Sequence, residues 1–347
     1  MNKGTYIIGE IGQNHNGSVD IAKLIVELVS RPVREEYFGI ELQPMNAVKM
    51  TKRDLAHELS DSQMSRIYDS PNSFGRTYGE HRAYLELSDE QHYEVYKYAK
   101  ERGLDFVETL CAPSCLSIMK LFSPDYLKVA SRDLTNIPLL EVLAETKIPM
   151  ILSTGMAGKK ELDEALEVIT KYHSNISILH CVSQYPTYPN NLNLKTITYL
   201  KKNYPQYKIG FSDHTIGISA PVAAIAMGAE IIEKHVTIDR RMKGTDQAGS
   251  LGPDGVNRMI RDIRITEMSM GKEEIFIEPE VKNSKIKLER SIATNRNLKV
   301  GEVISENDIH LLSPGDGFKW SERQSVIGKK VKIEIPRNEI IYPQNLE

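Results

Sequence analysis

The stretch PMILSTG (residues 149–155), followed by KKELDEALEVITKY (residues 159–172), decides the predicted fold. Its first part is a short apolar run, which is typical of a strand that is covered on both faces of a parallel sheet. Its second part has apolar residues at helical spacing among charged ones. The stretch therefore predicts one strand followed by one helix, with Ser153 and Thr154 at the end of the strand.

The same strand–helix pattern recurs along the chain as far as Gly271. The other apolar runs are YIIGEIG (6–12), NAVKM (46–50), LDFVETL (104–110), DYLKVAS (125–131), ISILHCVS (176–183), YKIGFSDH (207–214) and AEIIEKHVTI (229–238). Together with residues 149–155 they make eight units. Eight such units predict an α/β fold in which the strands close into a (β/α)8 TIM barrel, and a doubly wound open sheet is the competing architecture.

The pattern changes after the eighth unit. We predict a catalytic barrel domain over residues 1–275, a linker over 276–283 and a small β-rich domain over 284–347. The last region has short alternating strands that are interrupted by Gly and Pro. Because a domain of roughly 60 residues buries only a small core, we expect it to lean on another surface.

Composition limits the class of protein. The net charge is −3 and 26% of residues are charged, so no basic excess indicates a nucleic-acid partner. The three cysteines are too few for a disulfide framework, which fits a reducing compartment. No stretch has the apolar length of a membrane span or of a signal peptide. We therefore expect a cytoplasmic protein with no membrane partner.

Polar residues lie at the ends of all eight predicted strands. In a TIM barrel these ends build the active face. Two lysines with several hydroxyls suit a small dianion such as a phosphate ester that also bears a carboxylate. Any single member has a simpler interpretation, such as a salt bridge for Lys128 or a core imidazole for His180. The residues are Glu10, Lys49, Glu108, Thr109, Lys128, Ser131, Ser153, Thr154, His180, Ser183, Gln184, Ser212, Asp213, His214, Glu233 and His235.

Two of these residues, His214 and His235, come from adjacent predicted strands and would share one divalent metal. Imidazole binds Mn, Fe, Co or Zn, and two protein ligands leave positions for water and substrate. The alternative is that one histidine is functional and the other structural.

At this level of detail the chain resembles the sialic acid synthase family, whose members condense phosphoenolpyruvate with an N-acylmannosamine or a related sugar. The resemblance covers nearly the whole chain and implies that the tail is an antifreeze-like (SAF) domain, which in the family covers the barrel of the partner in a domain-swapped homodimer. The segments that carry it are EIGQNHNGS, NAVKMTKRD, SFGRTYGEHR, LKVASRDLTNIPLL, ILSTGM, LHCVSQYPT, GFSDHTIG, EKHVTIDRRMKGTDQAGSLGP and RSIATNRNLKVGEVISENDIHLLSPGDG.

The resemblance also implies roles for individual residues. It places a metal on His214 and His235, with Mn²⁺ expected and Mg²⁺ or Co²⁺ as alternatives, and it makes these residues catalytic together with Glu10. It implies sugar contacts at Thr51, Tyr185 and Asp246. The phosphoenolpyruvate site that it implies consists of Lys49, Thr109, Lys128, Ser131, Ser153, Gln184 and Ser212.

The sequence departs from the family pattern mainly at positions that are expected to contact the sugar. Gln184 replaces an asparagine, and Thr51 replaces a glutamine. Gln247 and Gly252 replace a histidine and a glutamate. Ser313 stands where bacterial members usually carry an arginine that is thought to meet the N-acyl group.

These departures keep other functions open. One is synthesis of KDN or its 9-phosphate from mannose or mannose 6-phosphate. Extra positive charge from Lys52, Arg53, Arg76 and Arg82, in the insertion over residues 51–87, would then serve a sugar phosphate, unless that insertion is only a solvated loop. A function of another class is non-catalytic carbohydrate binding.

Overall fold

Parallel strands close into a barrel in the computed structural model, which describes residues 4–347. The order around the ring is β1-β10-β9-β8-β7-β6-β5-β4, and β4 pairs with β1 in parallel. The predicted (β/α)8 barrel is therefore confirmed and the open sheet is excluded. The strands of the described chain are β1 (Tyr6–Gly12), β2 (Val33–Glu35), β3 (Ile40–Leu42), β4 (Ala47–Lys52), β5 (Asp105–Leu110), β6 (Tyr126–Val129), β7 (Met150–Ser153), β8 (Ile176–Cys181), β9 (Lys208–Asp213), β10 (Ile231–His235), β11 (Ser291–Thr294) and β12 (Ile309–Leu312).

Helices follow the barrel strands as the periodicity predicts, with one exception. After β5 the chain forms a 3-10 helix, Pro113–Lys120, where the sequence predicts an α-helix. The α-helices of residues 4–347 are α1 (Val19–Val29), α2 (Leu55–Glu58), α3 (Asp61–Ser65), α4 (Tyr78–Leu85), α5 (Asp89–Glu101), α6 (Ile137–Glu145), α7 (Lys159–Ile169), α8 (Lys195–Asn203), α9 (Ser219–Ala226), α10 (Pro253–Ser269) and α11 (Lys282–Leu288). None of them has the apolar length that a bilayer crossing requires.

The barrel interior is closed by a layer of apolar side chains, one from each of six strands. Because side chains alternate between the two faces of a strand, the neighbours of these residues face the helices and join the larger core there. The layer consists of Ile8, Ala47, Val107, Ile151, Leu179 and Ile231, all nearly or completely buried. It forms the floor above which a cavity opens at the carboxyl ends of the strands.

Two excursions leave the barrel before β5. The first is an antiparallel hairpin of β2 and β3, and its tip exposes Tyr37 and Phe38. The second is the insertion after β4, which contains α2, α3 and α4. Helix α4 begins with a capping box of Thr77 and Glu80, in which each side chain accepts a hydrogen bond from the backbone N–H of the other residue. This helix carries Arg82, which lines the cavity of the barrel.

The chain divides into two compact units, and the division lies between Gly271 and Lys272. The second unit has its own core, built around Ile292, Leu298 and Val331. Helix α11 spans the end of the predicted linker and the start of the predicted small domain. Regular strand pairing in the second unit is limited to β11 with β12, with isolated bridges elsewhere.

Candidate active site

A cavity of about 450 Å³ opens at the carboxyl ends of the barrel strands. Most of the residues that line it are polar, and they carry charges of both signs. Its lining consists of Glu10, Gly12, Gln13, Lys49, Thr51, Arg53, Arg82, Thr109, Lys128, Ala130, Ser131, Arg132, Ser153, Met156, Cys181, Ser183, Tyr185, Ser212, His214, Glu233, His235, Thr245 and Asp246.

The alternation of strand side chains explains why these polar groups meet. Each residue of the apolar floor is followed, two positions later, by a residue that points into the cavity. Ile8 is thus followed by Glu10, Ala47 by Lys49 and Ile231 by Glu233. The same step gives Thr109, Ser153 and Cys181 from the other three strands. A continuous polar layer therefore lies directly on a dry apolar one.

The structure brings together most of the residues that the sequence singled out. Gln184 is the one residue with an implied binding role that does not line the cavity. Its amide oxygen instead accepts hydrogen bonds from the Tyr188 backbone N–H (3.2 Å) and from Asn191 Nδ2 (3.1 Å), within its own loop. Four further polar residues at the strand ends, which were expected to face the cavity, do not line it either: Glu108, Thr154, His180 and Asp213. The predicted residues that do line the cavity are Glu10, Lys49, Thr51, Thr109, Lys128, Ser131, Ser153, Tyr185, Ser212, His214, His235 and Asp246.

Two lysines and two glutamates form a buried charge network at the cavity floor. Lys49 Nζ lies 2.6 Å from Glu10 Oε2 and 3.9 Å from Glu233 Oε2. Lys128 Nζ also lies 3.9 Å from Glu233 Oε2, so Glu233 faces both ammonium groups. Ser212 Oγ donates a hydrogen bond to Glu233 Oε1 at 2.9 Å. Mutual compensation allows all four charges to be buried.

The environment separates the proton affinities of the two glutamates. Burial raises the pKa of Glu10 above its usual range, and the opposing charge of Lys49 does not cancel this effect. Burial acts in the same direction on Glu233, but the charges of Lys128 and Lys49 outweigh it and lower the pKa of that carboxyl. The two lysines therefore favour the ionised form of Glu233, whereas burial makes Glu10 suited to exchange a proton near neutral pH.

Hydroxyl groups surround the lysines on the β5–β7 side of the cavity. Lys128 Nζ donates to Ser153 Oγ at 2.6 Å, and Lys49 Nζ donates to Thr109 Oγ1 at 3.3 Å. Ser131 Oγ accepts the Gly155 backbone N–H at 3.0 Å, which leaves its own O–H free to donate. Ammonium and hydroxyl donors that converge in this way fit an anion with several oxygens.

His214 and His235 face each other across the β9–β10 side of the cavity, with ring centroids 5.6 Å apart. His214 Nδ1 lies 3.0 Å from the Val182 carbonyl oxygen, which can only accept, so this nitrogen carries the proton. Nε2 of His214 then accepts from the Tyr185 hydroxyl at 2.8 Å. His235 Nδ1 is buried and has no hydrogen-bond partner.

His235 offers a free ring nitrogen to a metal, and His214 would offer Nε2 in place of its hydrogen bond to the Tyr185 hydroxyl. Burial lowers the pKa of His235, which keeps its ring neutral, and neutral imidazole is the form that binds metal. Its buried Nδ1 lacks the partner that such an atom normally has, and a metal would supply one. Residues 4–347 contain no cluster of three or more His, Cys, Asp or Glu side chains arranged for a metal, so water or substrate would complete the coordination.

A buried ion pair holds the two histidine-bearing strands together from the other side. Asp213 directly precedes His214, and Lys234 directly precedes His235. The two residues are partners across β9 and β10. Because side chains alternate along a strand, they face away from the cavity. Lys234 Nζ lies 2.6 Å from Asp213 Oδ2, and both side chains are almost completely buried. Asp213 Oδ1 also accepts the Thr215 backbone N–H at 2.8 Å. This pair fixes the backbone on which both histidines are placed.

Asp213→Ala is expected to destabilise the barrel by about 3 kcal/mol, because it leaves the buried Lys234 ammonium without its counter-ion. Urea-induced unfolding measures the change. The matched control is Glu164→Ala, which breaks an exposed pair with Lys160 and is expected to cost less than about 0.5 kcal/mol. Equal losses for the two variants would contradict the structural role of Asp213.

Several cavity residues were not assigned a role from the sequence. Glu233 was recognised as polar, but only its two lysine neighbours reveal its function. Cys181 and Arg132 line the cavity without any role predicted from the sequence, whereas Arg53 and Arg82 of the insertion are among the residues suggested there for a sugar phosphate. The two-residue step from the apolar floor identifies Cys181 but not Arg132, which follows β6.

Comparisons with known proteins agree with this geometry. The sequence profile described as the NeuB family matches residues 43–275, and that of the SAF domain matches residues 289–347. The N-acetylneuraminate-9-phosphate synthase of Homo sapiens is 30% identical, over 98% of this chain and 92% of the relative. The N,N'-diacetyllegionaminic acid synthase of Legionella pneumophila is also 30% identical, over 99% of this chain and 94% of the relative.

A solved structure is similar as well. The N-acetylneuraminic acid synthetase of Leptospira borgpetersenii, in complex with citrate, superimposes with a TM-score of 0.66 at 28% identity. The match covers 82% of this chain and 90% of that one.

Proposed function

The chain belongs to the NeuB family of sialic and related nonulosonic acid synthases, and from this premise we propose that it condenses phosphoenolpyruvate with an N-acylmannosamine-type aldose. The products would be inorganic phosphate and a nine-carbon 2-keto-3-deoxy acid such as N-acetylneuraminate. The observation that carries the proposal is the buried network of Glu10, Lys49, Lys128 and Glu233 at the barrel mouth. Such an array has the charge and the donors that a phosphate ester with a carboxylate needs.

Phosphoenolpyruvate would bind on the β4–β7 side of the cavity. Lys49 and Lys128 offset its negative charge, and the hydroxyls of Thr109, Ser131 and Ser153 donate directional hydrogen bonds to its oxygens. Preorganised donors of this kind commonly contribute a few kcal/mol each, because they need no reorganisation during the reaction. Ser212 supports the site indirectly through its hydrogen bond to Glu233.

In the reaction, carbon 3 of phosphoenolpyruvate forms a bond to the aldehyde carbon of the sugar. The aldehyde oxygen becomes an alkoxide, and the proton that Glu10 later takes from water converts it to a hydroxyl. Positive charge then develops at carbon 2. The Glu10 carboxylate stabilises this charge and takes a proton from the water molecule that adds to carbon 2. Phosphate leaves from the resulting tetrahedral centre, and the keto group of the product remains.

A divalent metal, for which we propose Mn²⁺ with Mg²⁺ or Co²⁺ as alternatives, would polarise the aldehyde carbonyl as a Lewis acid. His214 and His235 would hold it, as the unpartnered Nδ1 of His235 supports. The sugar would contact Tyr185, Asp246 and Thr51, which all line the cavity. The hydroxyl of Tyr185 also contacts His214.

The acid limb of the kcat/KM profile is expected to lie well above the roughly 4.3 of an ordinary glutamate. Burial raises the pKa of Glu10, so lowering the pH protonates this carboxyl while an exposed glutamate would still be ionised. Because the ionised form is needed as the base, activity is lost as the pH falls through the raised pKa. A pH–rate profile with saturating metal measures the limb, and a limb near pH 4 would contradict this role.

The proposal is tested by phosphate release from phosphoenolpyruvate with Mn²⁺ and a panel of sugars. The panel contains N-acetylmannosamine, mannose, the 6-phosphate of each, and a 2,4-diacetamido-6-deoxymannose. Release that requires both substrates, with a nine-carbon keto acid identified by mass spectrometry, supports the proposal. No release with any sugar, from folded and metal-loaded protein, would refute it.

We also propose that the chain forms a domain-swapped homodimer. Apolar side chains around the start of the second unit are exposed in the single chain, among them Ile275, Ile277 and Leu288. Covering such side chains in an oligomer is favourable. Light scattering after size-exclusion chromatography measures the mass, and a monomer at assay concentration would contradict the dimer.

A further inference from the structure

Gln247 is a buried polar residue to which the proposed reaction assigns no role. It replaces a histidine of the family pattern, directly follows the cavity residue Asp246, and begins a short 3-10 helix, Gln247–Gly249. The residue is 1% exposed and does not line the cavity itself. An amide that is buried to this extent is expected to act through its hydrogen-bond partners in the protein.

Every polar group of this amide has a partner. Its Oε1 accepts from the Thr237 hydroxyl at 2.5 Å. Its Nε2 donates to the Asn14 carbonyl oxygen at 3.2 Å and to Asn16 Oδ1 at 3.1 Å. Thr237 follows β10, whereas Asn14 and Asn16 belong to the loop after β1. One side chain therefore joins the loops that follow two neighbouring strands of the ring.

A second set of hydrogen bonds joins the same two loops. Asn14 Nδ2 donates to Ser250 Oγ at 2.8 Å, and Ser250 Oγ donates to the Asp246 carbonyl oxygen at 2.7 Å. Asn16 Nδ2 donates to the Lys243 carbonyl oxygen at 2.9 Å. Because this carbonyl can only accept, the Asn16 amide is fixed with its Oδ1 as the acceptor for the buried glutamine.

The segment that precedes Gln247 packs directly on its side chain. A Cβ atom at Gly244 would lie 2.8 Å from Gln247 Cγ, so no larger residue fits there without a shift. The cavity residues Thr245 and Asp246 lie between these two positions. Their backbone is therefore supported on both sides by the buried glutamine.

The two loops carry cavity residues of the β1–β10 side. Gln13 belongs to the first loop, and Thr245 and Asp246 belong to the second. Lys128 and Ser153, which are proposed to bind phosphoenolpyruvate, lie on β6 and β7, on the far side of the ring. A shift of the two loops would displace contacts to the sugar and leave the lysine–hydroxyl site in place.

We propose that Gln247 is a positioning residue for the sugar: its three hydrogen bonds hold the loops after β1 and β10 together, so that Asp246 meets the sugar in the reactive orientation. This inference rests on the proposed function and adds to it a residue outside the cavity. The amide suits this task better than the histidine that it replaces. A neutral imidazole has one donor and one acceptor, so it can satisfy at most two of the three partners.

Gln247→Met tests the proposal, because methionine has a similar length and forms none of the three hydrogen bonds. For the panel sugar that gives the most phosphate release, kcat/KM should fall by about 30-fold, as expected for the loss of a residue that orients others. Gln247→His should fall between methionine and the native protein, because it retains one donor and one acceptor. Thr237→Val, which removes only one partner, should cause a smaller loss.

Calorimetric titration with phosphoenolpyruvate separates positioning from a loss of folded protein. Its affinity and its stoichiometry should stay at the native values in Gln247→Met, because the lysine–hydroxyl site lies on the other side of the ring. A stoichiometry that falls in proportion to activity would instead show a purely structural role and would overturn the proposal.

Asn46→Leu is the matched control. Asn46 is also an amide that joins neighbouring strands, since it precedes β4 and its Oδ1 accepts from the Ile7 backbone N–H at 2.8 Å. It lies at the opposite end of the strands from the cavity and should leave kcat/KM of the folded protein unchanged. Native kcat/KM in Gln247→Met, or an equal loss in Asn46→Leu, would overturn the positioning role while the proposed function stands. Absence of phosphate release from the native protein with every sugar would refute both.

Discussion

Glu10→Gln is expected to lower kcat by roughly 1,000-fold, within the usual range for the loss of a general base. The amide has the shape of the carboxylate but can neither take a proton from water nor stabilise a neighbouring cation. Phosphoenolpyruvate should still bind, because Lys49, Lys128 and their hydroxyl neighbours remain in place. Steady-state kinetics measures the first effect, and calorimetric titration with phosphoenolpyruvate measures the second.

Glu108→Gln is the matched control for this variant. Glu108 is also a buried glutamate on a barrel strand, but it faces His92, with Oε2 3.1 Å from Nδ1, and does not line the cavity. It should change stability rather than catalysis. Normal turnover in Glu10→Gln would show that Glu10 takes no part in the reaction. The two lysines would then be assigned anion binding only.

Removal of divalent metal is expected to abolish turnover, and Mn²⁺ or Co²⁺ should restore it. His214→Ala and His235→Ala should each weaken Mn²⁺ binding by at least about 100-fold, because the site has only two protein ligands and the loss of one leaves a single imidazole. Electron paramagnetic resonance of free Mn²⁺ measures this binding without any need for activity.

His57→Ala is the control for the histidine variants, because His57 is exposed and does not line the cavity. It should bind Mn²⁺ like the native protein. Full activity in a rigorously metal-free sample would refute the metal requirement, and unchanged Mn²⁺ affinity in both cavity variants would place the metal elsewhere.

Gln184 shows why the sequence does not always predict which residues line a site. The residue follows a strand end, as a binding residue would, and its neighbours Ser183 and Tyr185 do line the cavity. Its longer side chain nevertheless accepts hydrogen bonds from two donors within its own loop, the Tyr188 backbone N–H and Asn191 Nδ2. Loop geometry decides whether the Gln184 amide faces the cavity or forms hydrogen bonds within its own loop. Residue type alone does not define that geometry.

Glu233 and Arg82 show two other limits. The pattern of β10 predicts that Glu233 faces inward, but its fixed negative charge comes from Lys49 and Lys128, which lie on other strands of the ring. Arg82 lines the cavity and forms no salt bridge with a carboxylate of residues 4–347. A chain rich in acidic residues gives no indication that one guanidinium has no carboxylate beside it until all side chains are placed.

The barrel follows from the sequence alone, because eight apolar runs, each followed by an amphipathic segment, have few other ways to bury their surface. So does most of the polar layer, since the period-two alternation of a strand fixes which side chains point inward. The charge pairing in the cavity and the raised pKa of Glu10, by contrast, arise only in the folded chain. These properties depend on distances between residues that are far apart in sequence, and such distances exist only after the ring has closed.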